Sequence, residues 1–257
     1  MIPYFKIPVY ELGPIPIDPW GTLVCVGFVL GLEMARARGV RAGLSPANVV
    51  DGLVATVLTG FVVGHLVHVL AYNQHLLEEE GVMALLRIWA GFSSFGGFVG
   101  AVLGSVLFYR ARRLPYLVHA DVIMYGFPFG WFFGRLGCFS VHDHIGALTS
   151  FPLAVAFPDI GTRHDLGLYE ALCTLVIAIT FYVTGKKERS PGFFLALWCL
   201  MYAPVRFGLD FLRNTDLARA DVRWAGLTPA QWGCMLMFAV GVAGAVKLRR
   251  VAVAAGS

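Results

Sequence analysis

Long apolar segments are the feature that most restricts the folds open to this chain. Seven of them recur, each about twenty residues long, which is the helix length that crosses a hydrocarbon core of ~30 Å. The segments are continuous rather than alternating, which argues against a transmembrane β-barrel. Hydrophobic residues make up 58% of the 257 residues and charged residues 14%, whereas soluble domains have about 45–50% and 25%. We therefore predict an all-α polytopic membrane protein that forms one domain over residues 1–257, with spans near 19–34, 50–72, 89–109, 116–139, 167–185, 192–210 and 228–246.

The first eighteen residues do not read as a signal peptide. They are rich in proline and isoleucine and lack a basic start followed by an apolar core. We predict an ordered or interfacial arm ahead of the first span.

Basic residues predict the orientation of the spans. Clusters of arginine and lysine follow the first, third, fifth and seventh spans and fall on one side, while the acidic run Glu78-Glu79-Glu80 falls on the other. The positive-inside rule then places the N-terminus outside and the C-terminus in the cytoplasm. The net charge of +4 mostly reflects this topology and gives no reason to expect a nucleic acid partner.

One arginine lies deep in an apolar segment. Arg135 follows the apolar stretch 116–133, and Gly134 and Gly137 beside it leave room for a ligand or a neighbouring backbone. A cation at that depth costs a few kcal/mol unless it is paired, which makes it a functional-site hypothesis. We interpret Arg135 as the anchor of an anionic lipid headgroup; the structural alternative is an arginine that snorkels from a helix end.

A second charged ridge ends the sixth span. Arg206, Asp210 and Arg213 recur at spacings of four and three, so they share one helical face. The ridge is either a self-compensated surface stripe or a partner for Arg135. Two arginines from different helices would hold a phosphate better than one.

Three further features are less specific. The small residues of 93–100 favour close helix packing as much as a ligand site. The long connection at about 140–167 predicts an outer-side cap over the site. The five cysteines show no paired metal-ligand spacing, and His142-Asp143-His144 with His164 is a weak zinc pattern. We therefore expect no metal and no cofactor.

Several motifs, in order along the chain, resemble the prolipoprotein diacylglyceryl transferase family. Residues 134–146 resemble the family signature G-R-x-G-N-F-x-N-x-E-x-x-G, and residues 64–73 resemble G-R-L-G-Y-V-L-x-Y-N. Residues 94–100 resemble S-F-H-G-G-L-I-G, residues 163–171 resemble R-H-P-x-Q-L-Y-E-A, and residues 206–216 resemble R-F-x-x-E-x-x-R-x-x-D. The resemblance covers nearly the whole chain and includes seven spans with an outer N-terminus.

The resemblance implies a reaction, its partners and a location. The family moves the diacylglyceryl group of phosphatidylglycerol onto the lipobox cysteine of a prolipoprotein and releases glycerol phosphate. It implies a multi-pass protein of the bacterial cytoplasmic membrane whose site faces the outer side, with an anionic phospholipid and a signal peptide as partners. We expect a monomer. The site residues carried over are the catalytic candidates Arg135, Arg206, Asp143 and His142, and the substrate-binding candidates Ser94, Gly96, Gly97, Gly134, Gly137, Cys138, Gly146, Tyr169, Glu170 and Asp210.

The chain departs from the family pattern at several positions. The histidine of the H-G-G element is Phe95, whose ring cannot accept a proton, and Cys138 replaces an asparagine. A relocated base could be His142, His144 or His68, although a lone interfacial histidine is more often structural. Three functions stay open: the family transferase, a same-fold enzyme that uses an anionic phospholipid with another acceptor, and a lipid-binding protein without turnover.

Overall fold

Helices dominate the architecture. The structure, a computed structural model, describes residues 1–13, 15–88, 91–217 and 223–256. Its helices are α1 (Pro19–Arg41), α2 (Pro46–Val67), α3 (Gln74–Glu80), α4 (Ser94–Ala111), α5 (Tyr116–Val141), α6 (Leu166–Thr184), α7 (Phe193–Leu209) and α8 (Pro229–Gly256). A π-helical turn (His68–Tyr72) extends α2, and short 3₁₀ turns follow α3 (Gly81–Leu85) and α7 (Asp210–Leu212).

Four of the described helices are long and apolar enough to cross a membrane. They cover Pro46–Tyr72, Leu166–Thr184, Phe193–Leu212 and Pro229–Arg250, and the shorter helix Phe95–Ala111 is also apolar. The prediction of a helical membrane protein is therefore confirmed. The count of seven spans and the orientation of the termini stay predictions.

Each of the seven predicted segments contains a helix, but the ends differ. Helix α1 runs past the predicted end at residue 34, where Glu33 pairs with Arg36 one turn later. Helix α4 begins at Ser94 rather than 89, and residues 89–90 lie outside the described residues. The acidic run 78–80 belongs to α3, a helix that the sequence pattern did not indicate because it is only seven residues long.

The chain forms two compact units, one of residues 1–38 with 124–257 and one of residues 39–123. In the first unit, the predicted cap at 140–167 is a small sheet rather than an irregular loop. Its strands are β1 (Ile2–Pro3), β4 (Ile145–Leu148), β5 (Val155–Phe157) and β6 (Gly161–Asp165), in the order β1-β5-β6-β4. Strand β1 is parallel to β5, and the other pairs are antiparallel. The N-terminal arm is thus ordered, and its hairpin of β2 (Tyr10–Leu12) and β3 (Ile15–Ile17) follows.

Aromatic side chains and glycines hold the helices of the first unit together. The core joins α5, α6 and α7 through buried residues that include Tyr125, Phe181 and Trp198. Helices α1 and α5 are in backbone contact, since a Cβ at Gly130 would lie 2.7 Å from the carbonyl oxygen of Gly27. Such backbone contact needs glycine on the facing surfaces.

In the second unit, glycines let α2 and α4 pack backbone to backbone. A Cβ at Gly100 would lie 2.6 Å from both the carbonyl oxygen of Thr59 and the Cβ of Val63, and one at Gly96 would lie 2.6 Å from the Cβ of Val67. The small residues of 93–100 therefore serve close helix packing, the first of the two interpretations drawn from the sequence.

We predict that Gly100→Ala destabilises this unit while Gly97→Ala does not. The new methyl group at residue 100 would press on backbone that cannot move aside, and overpacking of this kind typically costs about 1–3 kcal/mol. At Gly97 the nearest atom across the helix pair is 3.8 Å away, so alanine fits. Thermal unfolding of the two variants in detergent measures the difference, and equal melting temperatures would contradict the packing argument.

Candidate active site

A close crossing of α5 and α6 creates the centre of the site. A Cβ at Gly167 would lie 2.8 Å from the backbone nitrogen of Phe139 and 3.1 Å from the carbonyl carbon of Cys138. The start of α6 can therefore reach the end of α5. This places Glu170, one turn into α6, against Arg135.

Arg135 is embedded rather than snorkelled, with 13% of its side chain exposed. Its Nε lies 2.9 Å from Oε1 of Glu170, an ion pair whose alignment does not make a hydrogen bond. The guanidinium lies over the ring of Trp131, 4.5 Å from its centroid. Its Nη1 is 3.3 Å from Nε2 of His144 and 3.7 Å from Sγ of Cys138. The guanidinium therefore has contacts on several sides. These contacts offset the free-energy cost of placing a cation at this depth.

Glu170 is the fixed anion of this network. Its side chain is 2% exposed. The hydroxyl of Tyr202 donates a hydrogen bond to Oε1, and the indole nitrogen of Trp131 lies 3.4 Å from the same oxygen. These donors hold the carboxylate that orients Arg135. Sequence reasoning missed Trp131 and Tyr202, although each lies four residues before a predicted arginine and thus on its helical face.

Arg206 belongs to a second buried network. It forms an ion pair with Asp210, whose side chain is 1% exposed, and Nη1 of Arg213 is 3.9 Å from the same carboxylate oxygen. The hydroxyl of Thr228 donates to the other carboxylate oxygen. The charged side chains of this ridge therefore pair with one another, as the interpretation of a self-compensated stripe predicts. The burial, however, distinguishes it from a surface stripe.

The two networks are electrostatically linked. Glu170 attracts both Arg135 and Arg206, and the two guanidinium groups repel each other. With Arg213 included, three guanidinium groups meet two carboxylates. Guanidinium groups grouped in this way can bind an anion such as a phosphate.

A cysteine, an aspartate and a histidine lie directly beside Arg135. The ligand atoms of Cys138, Asp143 and His144 all lie within 4.8 Å of one another, and Nδ1 of His144 contacts Oδ1 of Asp143. Burial disfavours the imidazolium. The hydrogen bonds to Asp143 and Cys138 and the charge of Asp143 outweigh burial and the repulsion from Arg135, and they raise the pKa of His144 to about 9.

His142 has a different position. Its Nδ1 lies 2.7 Å from Oδ2 of Asp165 and its Nε2 lies 3.1 Å from the carbonyl oxygen of Phe5. Its ring contacts Tyr4, Phe5, Phe139 and Phe157, and its backbone is left-handed, with φ of 50°. These contacts attach the N-terminal arm to the cap, so they favour a structural role. A catalytic role for His142 stays a prediction.

Asp165 and His164 lie at the end of strand β6, where the cap meets the start of α6. Burial raises the pKa of Asp165 although the hydrogen bond to His142 opposes this, and the carboxylate caps α6 through the backbone nitrogen of Leu168. His164 contacts the hydroxyl of Tyr169 at 2.9 Å, and burial lowers the pKa of His164. Tyr169 is thus engaged with the cap.

The glycines of the signature have unequal surroundings. A Cβ at Gly134 would meet nothing within 4 Å, whereas one at Gly137 would lie 3.2 Å from the carbonyl oxygen of Trp20. A Cβ at Gly146 would lie 2.8 Å from the Cβ of His164. The carbonyl oxygen of Gly146 accepts a hydrogen bond from Nη1 of Arg163 at 3.2 Å. Gly134 leaves space beside Arg135, and the other two serve close packing.

The predicted residues Ser94, Gly96 and Gly97 belong to the second unit. The side chain of Ser94 lies outside the described residues, and Gly96 packs against α2. His68, a further candidate base, belongs to the same unit and is hydrogen-bonded to Asn73. A role for these residues in binding substrate stays a prediction.

This fold and site define a helical membrane protein with largely buried arginines that pair with buried carboxylates. The chain belongs to the prolipoprotein diacylglyceryl transferase family, whose model matches residues 8–247. It is similar to proteins named phosphatidylglycerol–prolipoprotein diacylglyceryl transferase. The one from Chromohalobacter salexigens is 30% identical over 243 residues, 93% of this chain and 91% of the relative. The one from Nitratidesulfovibrio vulgaris (strain Miyazaki F) is 32% identical over 240 residues, 90% and 89% of the two chains. The one from Rhizobium meliloti is 30% identical over 262 residues, 96% and 93%.

Proposed function

We propose that this chain transfers the diacylglyceryl group of phosphatidylglycerol to the lipobox cysteine of a prolipoprotein. The observation that carries the proposal is Arg135, which is buried and oriented by Glu170 within the segment that matches the family signature. The relatives named for this activity align with nine-tenths of the chain, and the family match extends over both compact units. We therefore propose that the whole chain serves one activity.

Phosphate binding is assigned to Arg135 and Arg206. Guanidinium groups present planar pairs of donors that match phosphate oxygens. The bond between the glyceryl carbon and the phosphate ester oxygen breaks during transfer, and negative charge grows on the leaving phosphate. Fixed cations aimed at that charge lower the barrier without reorganising. Glu170 and Asp210 hold the two side chains in place for this role.

Thiol activation is assigned to the cluster of Cys138, Asp143 and His144. The acceptor thiol must lose its proton before it attacks, because the thiolate is the nucleophile. Phe95 cannot remove that proton. The cluster lies next to Arg135, so a thiol activated there would face the carbon that bears the phosphate. Among the predicted histidines, His144 lies beside Arg135. Because its pKa is raised to about 9, it is an imidazolium near neutral pH, so its role is to favour the thiolate by its charge.

The location and topology belong to the same proposal. We place the chain in the bacterial cytoplasmic membrane with seven spans, the N-terminus and site on the outer side, and the C-terminus in the cytoplasm. The four basic clusters support this orientation, and α1, α4 and α5 would supply the three further spans. The partners are phosphatidylglycerol or another anionic phospholipid and the signal peptide of a prolipoprotein, and we propose that a monomer suffices.

The direct test is transfer of labelled diacylglyceryl from phosphatidylglycerol to a lipobox peptide by the purified protein. We expect transfer to the cysteine peptide and none to a matched serine peptide. Phe95→His should leave the rate equal or raise it, since general-base assistance is typically worth about 10²–10⁴-fold. Absence of transfer by both wild type and Phe95→His, compared with a protein-free control, would contradict the proposal.

The replacement of the family histidine by Phe95 favours one alternative. The same fold could bind an anionic phospholipid and use another acceptor, or bind it without turnover. Specific binding of phosphatidylglycerol that depends on Arg135, with no transfer to the lipobox peptide, would identify this alternative.

A further inference from the structure

We propose that His142 and Asp165 form a pH-dependent latch, which binds the carbonyl oxygen of Phe5 and so holds the N-terminal arm on the cap. This inference goes beyond the proposed function and does not rest on it. The two side chains are features of this chain, since the family signature leaves residue 142 open and the R-H-P element has proline where this chain has Asp165.

Both ring nitrogens of His142 face oxygen atoms that accept hydrogen bonds. Nδ1 lies 2.7 Å from Oδ2 of Asp165, and Nε2 lies 3.1 Å from the carbonyl oxygen of Phe5. A neutral imidazole has one N–H group and one lone pair, so beside an ionised carboxylate it can donate to only one of the two oxygens. Both contacts are hydrogen bonds only when the pair of side chains carries a second proton, either on Nδ1 or on the carboxyl group.

Loss of the second proton weakens the contact with the arm. The one N–H group that remains is drawn to Nδ1, because a hydrogen bond to an ionised carboxylate is about twice as strong as one to a neutral carbonyl. Nε2 then turns a lone pair toward the carbonyl oxygen of Phe5, which loses its donor. A buried acceptor without a donor is costly, so the arm is released as the pH rises.

Burial favours retention of the second proton. The side chain of His142 is 5% exposed and that of Asp165 is 0% exposed, so water does not replace either hydrogen bond. Burial raises the pKa of Asp165, although the hydrogen bond to His142 opposes this. The carboxyl group therefore keeps a proton to a higher pH than an exposed aspartate does.

The other ionisable groups near the pair come from three elements. Asp143 follows His142 in the chain, and its charge also raises the pKa of Asp165. On the arm, the ring of Tyr4 lies 5.2 Å from the ring of His142, and Lys6 follows Phe5. On β6, Arg163 is paired with Asp216. Helix α5 and strand β5 contribute uncharged phenylalanine rings to the contact.

The latch acts where the arm has little other backbone pairing. Strand β1 is two residues long, and its register with β5 joins Ile2 to Val155 and Pro3 to Ala156. The ring of Phe5 lies 5.3 Å from the ring of Phe139, at the end of α5 and one residue after Cys138. Release of the arm therefore uncovers the end of α5 beside the site.

The test measures release of the arm by trypsin cleavage after Lys6, an exposed residue directly after Phe5. The full chain in detergent is compared at each pH with a free peptide of residues 1–12, which removes the pH dependence of the protease. The held arm carries one more proton than the released arm, so raising the pH favours release. Above neutral pH, we expect the cleavage rate relative to the peptide to rise about tenfold per pH unit for one proton. A relative rate that stays constant from about pH 6 to about pH 9, the range that spans the ordinary pKa of histidine, would overturn the proposal.

Asp165→Asn is the decisive variant. Its amide nitrogen would stand in the place of Oδ2 and donate to Nδ1, so a neutral His142 could donate from Nε2 to Phe5 at every pH. The amide oxygen can still cap α6 through the backbone nitrogen of Leu168, as Oδ1 of Asp165 does at 3.2 Å. We expect slow cleavage that does not change with pH. Asp165→Asn with the wild-type dependence on pH would contradict the latch.

Two histidine variants complete the comparison. His142→Gln does not titrate and cannot donate to both oxygens in the same geometry, so we expect faster cleavage than wild type at neutral pH and no further rise with pH. His75→Gln, which alters an exposed histidine of α3, is the matched control and should keep the wild-type dependence. A His75→Gln protein that loses the dependence would assign it to another histidine and overturn the latch.

Nitrogen NMR of the wild-type protein labelled at histidine provides a readout that needs no variant. We expect one ring whose Nε2 carries a proton at neutral pH and loses it over the pH range in which cleavage accelerates. Cleavage that accelerates with no such change in any ring would overturn the assignment to His142. The transferase is tested separately: a pH-dependent arm in a protein that does not modify the lipobox peptide keeps the latch and refutes the proposed function, and transfer by a protein whose arm does not respond to pH does the reverse.

Discussion

Arg135→Lys is expected to reduce diacylglyceryl transfer by at least ~100-fold, the order of loss when one preorganised donor at a developing charge is removed. Lysine keeps the positive charge but lacks the planar set of N–H donors of a guanidinium group, which can hold two oxygens at once. It cannot pair with Glu170 through one edge and present its other nitrogens to a phosphate. It also loses the contact of the guanidinium with Trp131. The measurement is the rate of label transfer from phosphatidylglycerol to the lipobox peptide.

The matched control is Arg36→Lys on α1, since Arg36 is exposed and pairs only one turn back with Glu33 among its described contacts. It should transfer at the wild-type rate. An Arg135→Lys protein that keeps the rate of the control would show that a point charge suffices. Arg135 would then have no bidentate role.

Glu170→Ala is expected to destabilise the folded protein by about 3–5 kcal/mol, because it leaves a buried guanidinium without its counter-ion. The carboxylate is 2% exposed and also accepts from Tyr202, so no solvent replaces it. The alanine variant should show a lower melting temperature in detergent. It should also lose transfer, since Arg135 would no longer be held.

Glu33→Ala provides the comparison, because it removes the carboxylate of an exposed ion pair with Arg36. Exposed pairs of this kind contribute little to stability, so its melting temperature should match that of the wild type. Glu170→Leu tests the charge further. If it were as stable as the wild type, the network around Arg135 would not depend on the ion pair.

Much of the site chemistry could be read from the sequence because it lies in local motifs. An arginine inside an apolar segment is a functional-site hypothesis whatever the fold, and Arg135 is held in a buried network. The spacing of Arg206, Asp210 and Arg213 predicted one charged face, and the three side chains do converge. The cap was predicted as a connection, and its strands were missed because they are only three to five residues long.

By itself the sequence determined the class of fold and the position of the helices. Long apolar segments must satisfy their backbone hydrogen bonds internally in lipid, so they can only be helices. The tertiary structure decided which polar residues meet. Gly167 lets α6 approach α5, and this crossing, invisible in either helix alone, pairs Glu170 with Arg135. It also gave two neighbouring histidines different surroundings. The left-handed backbone at His142 turns that ring into the aromatic contacts of the N-terminal arm, while His144 remains beside Arg135. Two histidines that lie two positions apart look equivalent in the sequence. The path of the backbone decides which of them lies beside Arg135.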